Sequence, residues 1–172
     1  MDQPILYVTM GPPASGKTRW RKKNVSGLAV VSPDGYGNLK PGERWWALGN
    51  YFHEQNIGKA WAWTWQQFAE CLQRGYDFVF EATLPTKISR SPIIHIAKGF
   101  GYQVICVYHC ESLQTLLERN ANRTPSVPLE ALARTFLADE EPEFSEGWDK
   151  IIMANAQPGK DIEAFPVIPV TR

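Results

Sequence analysis

Eight consecutive residues, Gly11-Pro12-Pro13-Ala14-Ser15-Gly16-Lys17-Thr18, satisfy the G-x-x-x-x-G-K-T spacing of a phosphate-binding loop. The chemistry this pattern serves is anion capture. Glycine lets the backbone approach phosphate oxygens closely, successive N–H groups point inward, and a helix starting directly after the loop adds partial positive charge. On this reading Gly11, Ala14, Ser15, Gly16, Lys17 and Thr18 hold a nucleotide donor, ATP. The Lys17 ammonium reaches the beta and gamma phosphates, and the Thr18 hydroxyl faces a magnesium ion, Mg2+, that bridges them. The loop alone does not separate hydrolysis, transfer and switching.

Downstream groups narrow the choice. Asp34, in Ser32-Pro33-Asp34-Gly35, follows an apolar run and has the chemistry to orient and deprotonate an acceptor hydroxyl; a capped turn is the competing role. Glu81 closes Phe78-Val79-Phe80-Glu81 and suits magnesium water or acceptor positioning, against a structural ion pair. Arg119 and Arg123 are four residues apart, so a continuous helical turn puts both planar donor forks on one face, where they close over phosphates. Arg134 reads as a surface residue. Five of the seven tryptophans, Trp45, Trp46, Trp61, Trp63 and Trp65, crowd one short interval. Arg44, Trp45 and Trp46 form a candidate acceptor wall, with lid packing as the competing role, whereas Trp61 and Trp65 fall on a helical stripe with Ile57, Phe68 and Leu72 and read as core.

The elements that must position these groups alternate. Strands are expected at Pro4 to Met10, Leu28 to Val31, Asp77 to Glu81, Tyr102 to His109 and Lys150 to Met153. Helices are expected over Lys17 to Lys23, Tyr51 to Arg74, Lys87 to Lys98, Glu111 to Ala121 and Leu129 to Ala138. This order predicts an α/β fold with a mostly parallel five-stranded sheet flanked by helices. Residues 1–156 are expected to form one domain, with 157–172 a tail packed on it or mobile.

Composition sets outer limits. The chain has 172 residues, 44% hydrophobic and 21% charged, enough for one packed core. Lys plus Arg and Asp plus Glu each total 18, so no overall positive field draws long nucleic acid. Charge is nonetheless uneven. Arg19, Arg21, Lys22 and Lys23 follow the loop and either meet phosphate or form a solvated face, while Asp139, Glu140, Glu141, Glu143, Glu146 and Asp149 gather near the end and read as surface. Cys71, Cys106 and Cys110 lack paired metal spacing, and Cys71 and Cys106 read as buried small side chains. His53, His95 and His109 read as structural or solvated. No apolar run spans a bilayer and no leader is evident, so a cytoplasmic protein is expected, without membrane partners.

Taken in order, the loop at Gly11 to Thr18, Asp34 after the second strand, Phe80-Glu81-Ala82-Thr83, and Glu118-Arg119-Asn120-Ala121-Asn122-Arg123 with Val127-Pro128 resemble the polynucleotide-kinase-like branch of the P-loop kinases. The resemblance covers about residues 4 to 155. It implies a P-loop kinase sheet with an arginine-bearing lid and transfer of a gamma phosphate to a nucleic-acid 5' hydroxyl. By the same resemblance, Asp34 is the general base, Arg123 the stronger lid contact, and Lys17 with Thr18 the donor-phosphate and magnesium contacts. Together with the residue chemistry above, Lys17, Asp34, Arg119 and Arg123 are the expected catalytic residues and Thr18 and Glu81 the expected metal ligands. Polynucleotide kinases carry an arginine three residues beyond the acceptor aspartate, where this chain has Gly37. Arg44 is the candidate substitute. The stretch at Glu81 also resembles zeta-toxin-like kinases, so a nucleoside, nucleotide or activated amino sugar is the alternative acceptor, and a nucleotide-dependent switch is the third reading.

Overall fold

The computed structural model describes residues 3–37, 44–47 and 50–154, without the side chains of residues 45 and 50–55. The tail at 157–172 and the side chains of Trp45 and His53 therefore lie outside the described residues.

Five strands form: β1 (Ile5–Met10), β2 (Ala29–Val31), β3 (Phe78–Glu81), β4 (Gln103–His109) and β5 (Lys150–Ala154). They pair in the order β2-β3-β1-β4-β5, every pair parallel. Parallel strands are covered on both faces, which is why these runs are apolar throughout rather than alternating. Five helices connect them: α1 (Lys17–Asn24), α2 (Asn50–Arg74), α3 (Lys87–Gly99), α4 (Leu113–Ala121) and α5 (Leu129–Leu137). The expected elements form within about two residues of their expected ends. Three short 3-10 turns, at Pro33–Gly35, Trp45–Ala47 and Phe144–Glu146, were not read from the sequence.

The direction of each crossover decides its face. From β1 the chain moves outward through α1 to β2, whereas the connections through α2 and α3 run the other way along the sheet. Right-handed crossovers place these two sets on opposite faces. The main core accordingly joins Phe68, Cys71 and Leu72 of α2 and Ile93, Ile94 and Ala97 of α3 to Leu6, Val8, Phe78, Phe80, Val104 and Cys106 of the sheet. On the other face Trp20 of α1 packs with Ile5, Tyr7, Val107 and Ile152. Cys71 and Cys106 are buried as expected.

The α2 stripe differs from the sequence expectation in its first half. Ile57 is 43% exposed, and the fully buried positions there are Ala60 and Thr64. Helix and sheet approach closely where the side chain is small, so the bulky Trp61 and Trp65 flank the contact, partly buried against the core. Thr64 fits because its hydroxyl donates to Ala60 O at 2.7 Å, leaving no unsatisfied polar atom.

The acidic group near the end differs from its expected surface role, since three of its members bind within the fold. Arg90 of α3 has no exposed surface, and its Nε and Nη2 donate to Glu146 at 2.6 and 2.9 Å, while Nη1 donates to Glu140 O at 2.8 Å. Asp149 accepts from Val104 N at 2.7 Å, and Asp139 from the Tyr108 hydroxyl at 2.7 Å. A buried guanidinium has to be neutralised and hydrogen-bonded on every side, and the segment after α5 turns inward to do so.

Removing one partner of such a pair leaves an uncompensated buried charge. Arg90→Ala is therefore expected to cost about 3–5 kcal/mol of stability. Urea unfolding followed by circular dichroism measures this; a loss below about 1 kcal/mol contradicts it.

Candidate functional site

The carboxyl ends of β1, β2 and β3 bring the phosphate-binding loop, Asp34 and Glu81 to one edge of the sheet. The loop leaves β1 at Gly11, whose N–H donates to Thr83 O at 3.0 Å. Gly11 has φ +134°, and a Cβ there meets His109 O at 2.5 Å, so only glycine fits. Ala14 (φ 65°) and Gly16 (φ 103°) are also left-handed, which curls the segment into a concave nest of N–H groups. Helix α1 then begins at Lys17 without a side-chain cap, so no side chain occupies its N-terminus. Ser15 Oγ is buried without a hydrogen-bond partner among the described residues. An orphaned hydroxyl and an uncapped helix start beside a nest fit a phosphate group.

Lys17 Nζ folds back on the loop, donating to Gly11 O at 2.7 Å and Pro12 O at 2.8 Å. Its ammonium is enclosed although the residue as a whole is only part-buried. Burial lowers its pKa to about 8; Glu81, Asp34 and Asp139 oppose that, whereas the Arg123 charge adds to it. Thr18 Oγ1 donates to Glu81 Oε1 at 2.9 Å, and Arg21 Nε pairs with Glu81 Oε2 at 3.1 Å. Thr18 and Arg21, three residues apart on α1, share the face that meets Glu81. That spacing is the sequence signal for Arg21, which composition alone does not separate from Arg19, Lys22 and Lys23. Arg19, Lys22 and Lys23 are exposed.

Thr18 and Glu81 provide two adjacent oxygen donors, the hard-ligand chemistry that magnesium takes together with substrate phosphates and water. Among the described residues no group of three or more His, Cys, Asp or Glu side chains could hold a metal by itself. The donor set fits an ion held jointly with phosphate.

Asp34 sits on the 3-10 turn at Pro33–Gly35, capped by Ser32, whose Oγ accepts from Asp34 N at 3.3 Å. Trp63 lies beneath this turn: a Cβ on Gly35 meets its ring at 3.1 Å, and the ring stands 6.3 Å from Tyr36. Trp63, off the core stripe, thus supports the acidic turn. Trp46 Nε1 donates to Asp34 Oδ1 at 3.1 Å, and the Arg123 guanidinium lies 5.4 Å from the Trp46 ring centroid. Arg44 is part-buried at the start of the same segment.

The two arginines of the arginine-bearing lid do not share a helix face. Helix α4 ends at Ala121, because the buried Asn120 side chain exchanges two hydrogen bonds with the Val127 backbone, at 2.8 and 2.9 Å, and folds the chain back. Arg123 leaves the helix and turns toward Trp46, while Arg119 pairs with Glu111 at 3.2 Å. Arg134 is exposed, as expected.

His109 ends β4 behind the loop. It is 1% exposed, and neither ring nitrogen makes a hydrogen bond of normal geometry among the described residues. Burial, then the Lys17 charge, lower its pKa to about 3, with only partial opposition from the nearby Ser15 backbone. The imidazole is held neutral beside Trp20, whose ring it meets edge-on at 6.5 Å.

Sheet order, loop and lid together define a P-loop kinase-like fold. The chain belongs to the AAA domain family, whose model matches residues 6–138. A chain of the AvrRxo1-ORF1:AvrRxo1-ORF2 complex with sulphate ions is similar at 20% identity and TM-score 0.60, over 79% of this chain and 47% of that one. This protein thus spans about half the length of that neighbour. A kinase from Chloroflexus aurantiacus, described as putative, shares 18% identity at TM-score 0.58, covering 84% and 76% of the two chains. A gluconokinase from Sinorhizobium meliloti 1021 shares 20% at TM-score 0.56, covering 92% and 86%. A chain of the Pnkp1/Rnl/Hen1 RNA repair complex shares 13% at TM-score 0.59, covering 80% and 44%. No curated protein sequence matches. Among the described residues no helix is long and apolar enough to cross a membrane.

The depressed pKa of His109 carries a stability signature. The unfolded imidazole takes up a proton below about 6.5 and the folded one only near 3, so acid favours the unfolded chain. Stability attributable to this residue falls by about 2 kcal/mol between pH 6.5 and 5. His109→Leu is expected to flatten that part of the stability curve, measured by urea unfolding at each pH; an unchanged slope counts against the buried neutral imidazole.

Proposed function

We propose that the chain is an ATP-dependent kinase that transfers the gamma phosphate to an acceptor hydroxyl, the 5' hydroxyl of a polynucleotide being the preferred acceptor. The observation that carries this reading is the sheet topology, which ends β1, β2 and β3 at one edge and so brings Lys17 and Thr18 of the loop to the same edge as Asp34 on the turn after β2.

In this mechanism the nest of N–H groups from Gly11 to Gly16 holds the phosphate chain, and Lys17 exchanges its two carbonyl partners for beta and gamma oxygens. Asp34 accepts the acceptor's proton as that oxygen bonds to the gamma phosphorus and the bond to the beta–gamma bridging oxygen breaks, releasing ADP. Arg123 neutralises charge on the transferring group, with Arg119 supporting the lid through Glu111. Thr18 and Glu81 would hold magnesium, which when bound neutralises charge on the phosphate oxygens.

The chain of the RNA repair complex supports the polynucleotide acceptor only as a neighbour in fold. A small-molecule acceptor is the second reading. Gly37 stands where polynucleotide kinases carry a phosphate-binding arginine, and the gluconokinase matches over 86% of its own length. Incubation with gamma-labelled ATP, magnesium, a 5'-hydroxyl oligonucleotide, a nucleoside, gluconate and a UDP-amino sugar separates the readings. Label on the oligonucleotide is expected. Label on small acceptors alone rejects the polynucleotide assignment, and label on none rejects the kinase reading.

In the same assay Lys17→Ala is expected to lower transfer by about a hundredfold or more, and Asp34→Asn to lower it similarly while ATP affinity stays within a few-fold. Wild-type turnover in a folded Asp34→Asn protein excludes the base role.

Lys17 also sets a pH dependence. Below pH 8 the ammonium is already charged, whereas above it the empty loop must take up a proton to hold phosphate. ATP affinity is therefore expected to fall above about pH 8, by up to tenfold per pH unit, with net proton uptake. Titration calorimetry in buffers of different ionisation enthalpy measures both; a flat affinity from pH 7 to 10 contradicts the assignment.

A further inference from the structure

Trp46 touches both sides of the site at once. Its indole edge donates from Nε1 to Asp34 Oδ1 at 3.1 Å, and its face carries the Arg123 guanidinium at 5.4 Å from the ring centroid. Trp46 and Arg123, with Ala47, Thr124, Pro125, Ser126 and Pro128, border an open cavity of about 460 Å³ between the Trp46 segment and the lid loop. The edge contact has direction: an N–H pointed at a carboxylate oxygen fixes the side-chain torsion of Asp34, whose backbone is already held by the Ser32 cap and the Trp63 ring below. The face contact is electrostatic and holds Arg123 where its charge is felt at Lys17. One rigid ring cannot turn to lose either contact without disturbing the other.

We infer that Trp46 is a positioning residue that ties the orientation of Asp34 to the position of the lid arginine Arg123, so that the acceptor acid and the lid are set together. The assignment rests on the kinase reading above. It gives the indole two separable tasks: the N–H serves the transfer step through Asp34, and the ring face serves donor binding through Arg123. A ring that merely filled space would not divide its effects this way.

Trp46→Phe keeps an aromatic face and removes the N–H; Trp46→Leu removes both. With gamma-labelled ATP and the 5'-hydroxyl oligonucleotide, or whichever of the other three acceptors the wild-type protein labels, W46F is expected to lower kcat by about tenfold or more, the worth of a hydrogen bond to a charged group. Its KM for ATP is expected to stay within twofold. W46L is expected to show the same loss in kcat and, in addition, a KM for ATP raised about two- to fivefold, the worth of an exposed cation–ring contact. The phenylalanine thus rescues the donor parameter and not the transfer parameter. Thermal melts accompany both variants. Wild-type kcat in W46F overturns the assignment, and so do equal changes in kcat and KM in both variants that follow their loss of melting temperature. Wild-type protein that labels none of the acceptors overturns the kinase reading and this inference with it, whereas wild-type transfer unmoved by W46F overturns this inference alone.

Discussion

Parallel pairing of β1 with β3 on one side and β4 on the other is the constraint on which the site depends. The register sets Thr9 beside Glu81 and Met10 beside Tyr108, so the ends of three strands that are remote in sequence finish at one level. The chain that leaves β1 must then pass over the end of β4 at a distance that excludes a side chain, since a Cβ at residue 11 meets His109 O at 2.5 Å. Gly11 satisfies that approach and its positive φ together. The loop takes its curvature from the sheet edge beneath it as much as from its own residues. Thr18 and Arg21 meet Glu81 because α1 starts where the loop returns to that edge.

Electrostatics at this edge is arranged around an anion. Burial depresses both Lys17 and His109, one to about 8 and the other to about 3. The loop therefore holds an ammonium with little solvent and a neutral imidazole behind it, with Glu81, Asp34 and Asp139 as the negative charges in reach of Lys17. Keeping a charge desolvated in this way costs folding free energy, and a bound phosphate offsets part of it by replacing lost hydration with fixed N–H donors. The orphaned Ser15 hydroxyl belongs to the same arrangement: it is a donor already desolvated and still without an acceptor among the described residues.

Much of this was legible in the residues. Strands buried on both faces appear as apolar runs, and helices of ordinary length carry a periodicity that survives packing, so the β and α elements fell close to their expected bounds. The phosphate-binding loop was legible because its conformational demands fall on glycine at fixed offsets. What periodicity missed are contacts made across long sequence separations or by size. Ala60 and Thr64, not Ile57, occupy the close approach of α2 because volume, not hydrophobicity alone, decides which side chain fits there. Arg90 drew Glu146 inward from an acidic run whose composition signals solvent. The helical spacing of Arg119 and Arg123 was real in sequence but was broken by Asn120, whose side chain binds the returning backbone and ends the helix between them. The link from Trp46 to Asp34 joins residues 12 apart in sequence, a separation at which no helix or strand period predicts contact.

The same accounting bears on how charge reaches the site. The zero sum of charges does not mean a neutral surface everywhere, yet several arginines that could attract phosphate at a distance are engaged within the fold: Arg21 by Glu81, Arg90 by Glu146 and Arg119 by Glu111. The charge nearest the loop is therefore short-ranged, carried by a buried Lys17 and by Arg123 resting on an indole. Long-range steering of an extended polyanion needs a broad exposed basic surface, since exposed charges are screened within about 8–10 Å at ordinary ionic strength. Here the exposed bases near the loop, Arg19, Lys22 and Lys23, are confined to α1, on the face of the sheet away from α2 and α3. Under the kinase reading, discrimination must then come from what fits between Trp46 and the lid loop, beside the Asp34 that Trp46 holds. A cavity of about 460 Å³ bounded by Trp46, Arg123 and the lid loop has the volume for one terminal residue or one small molecule.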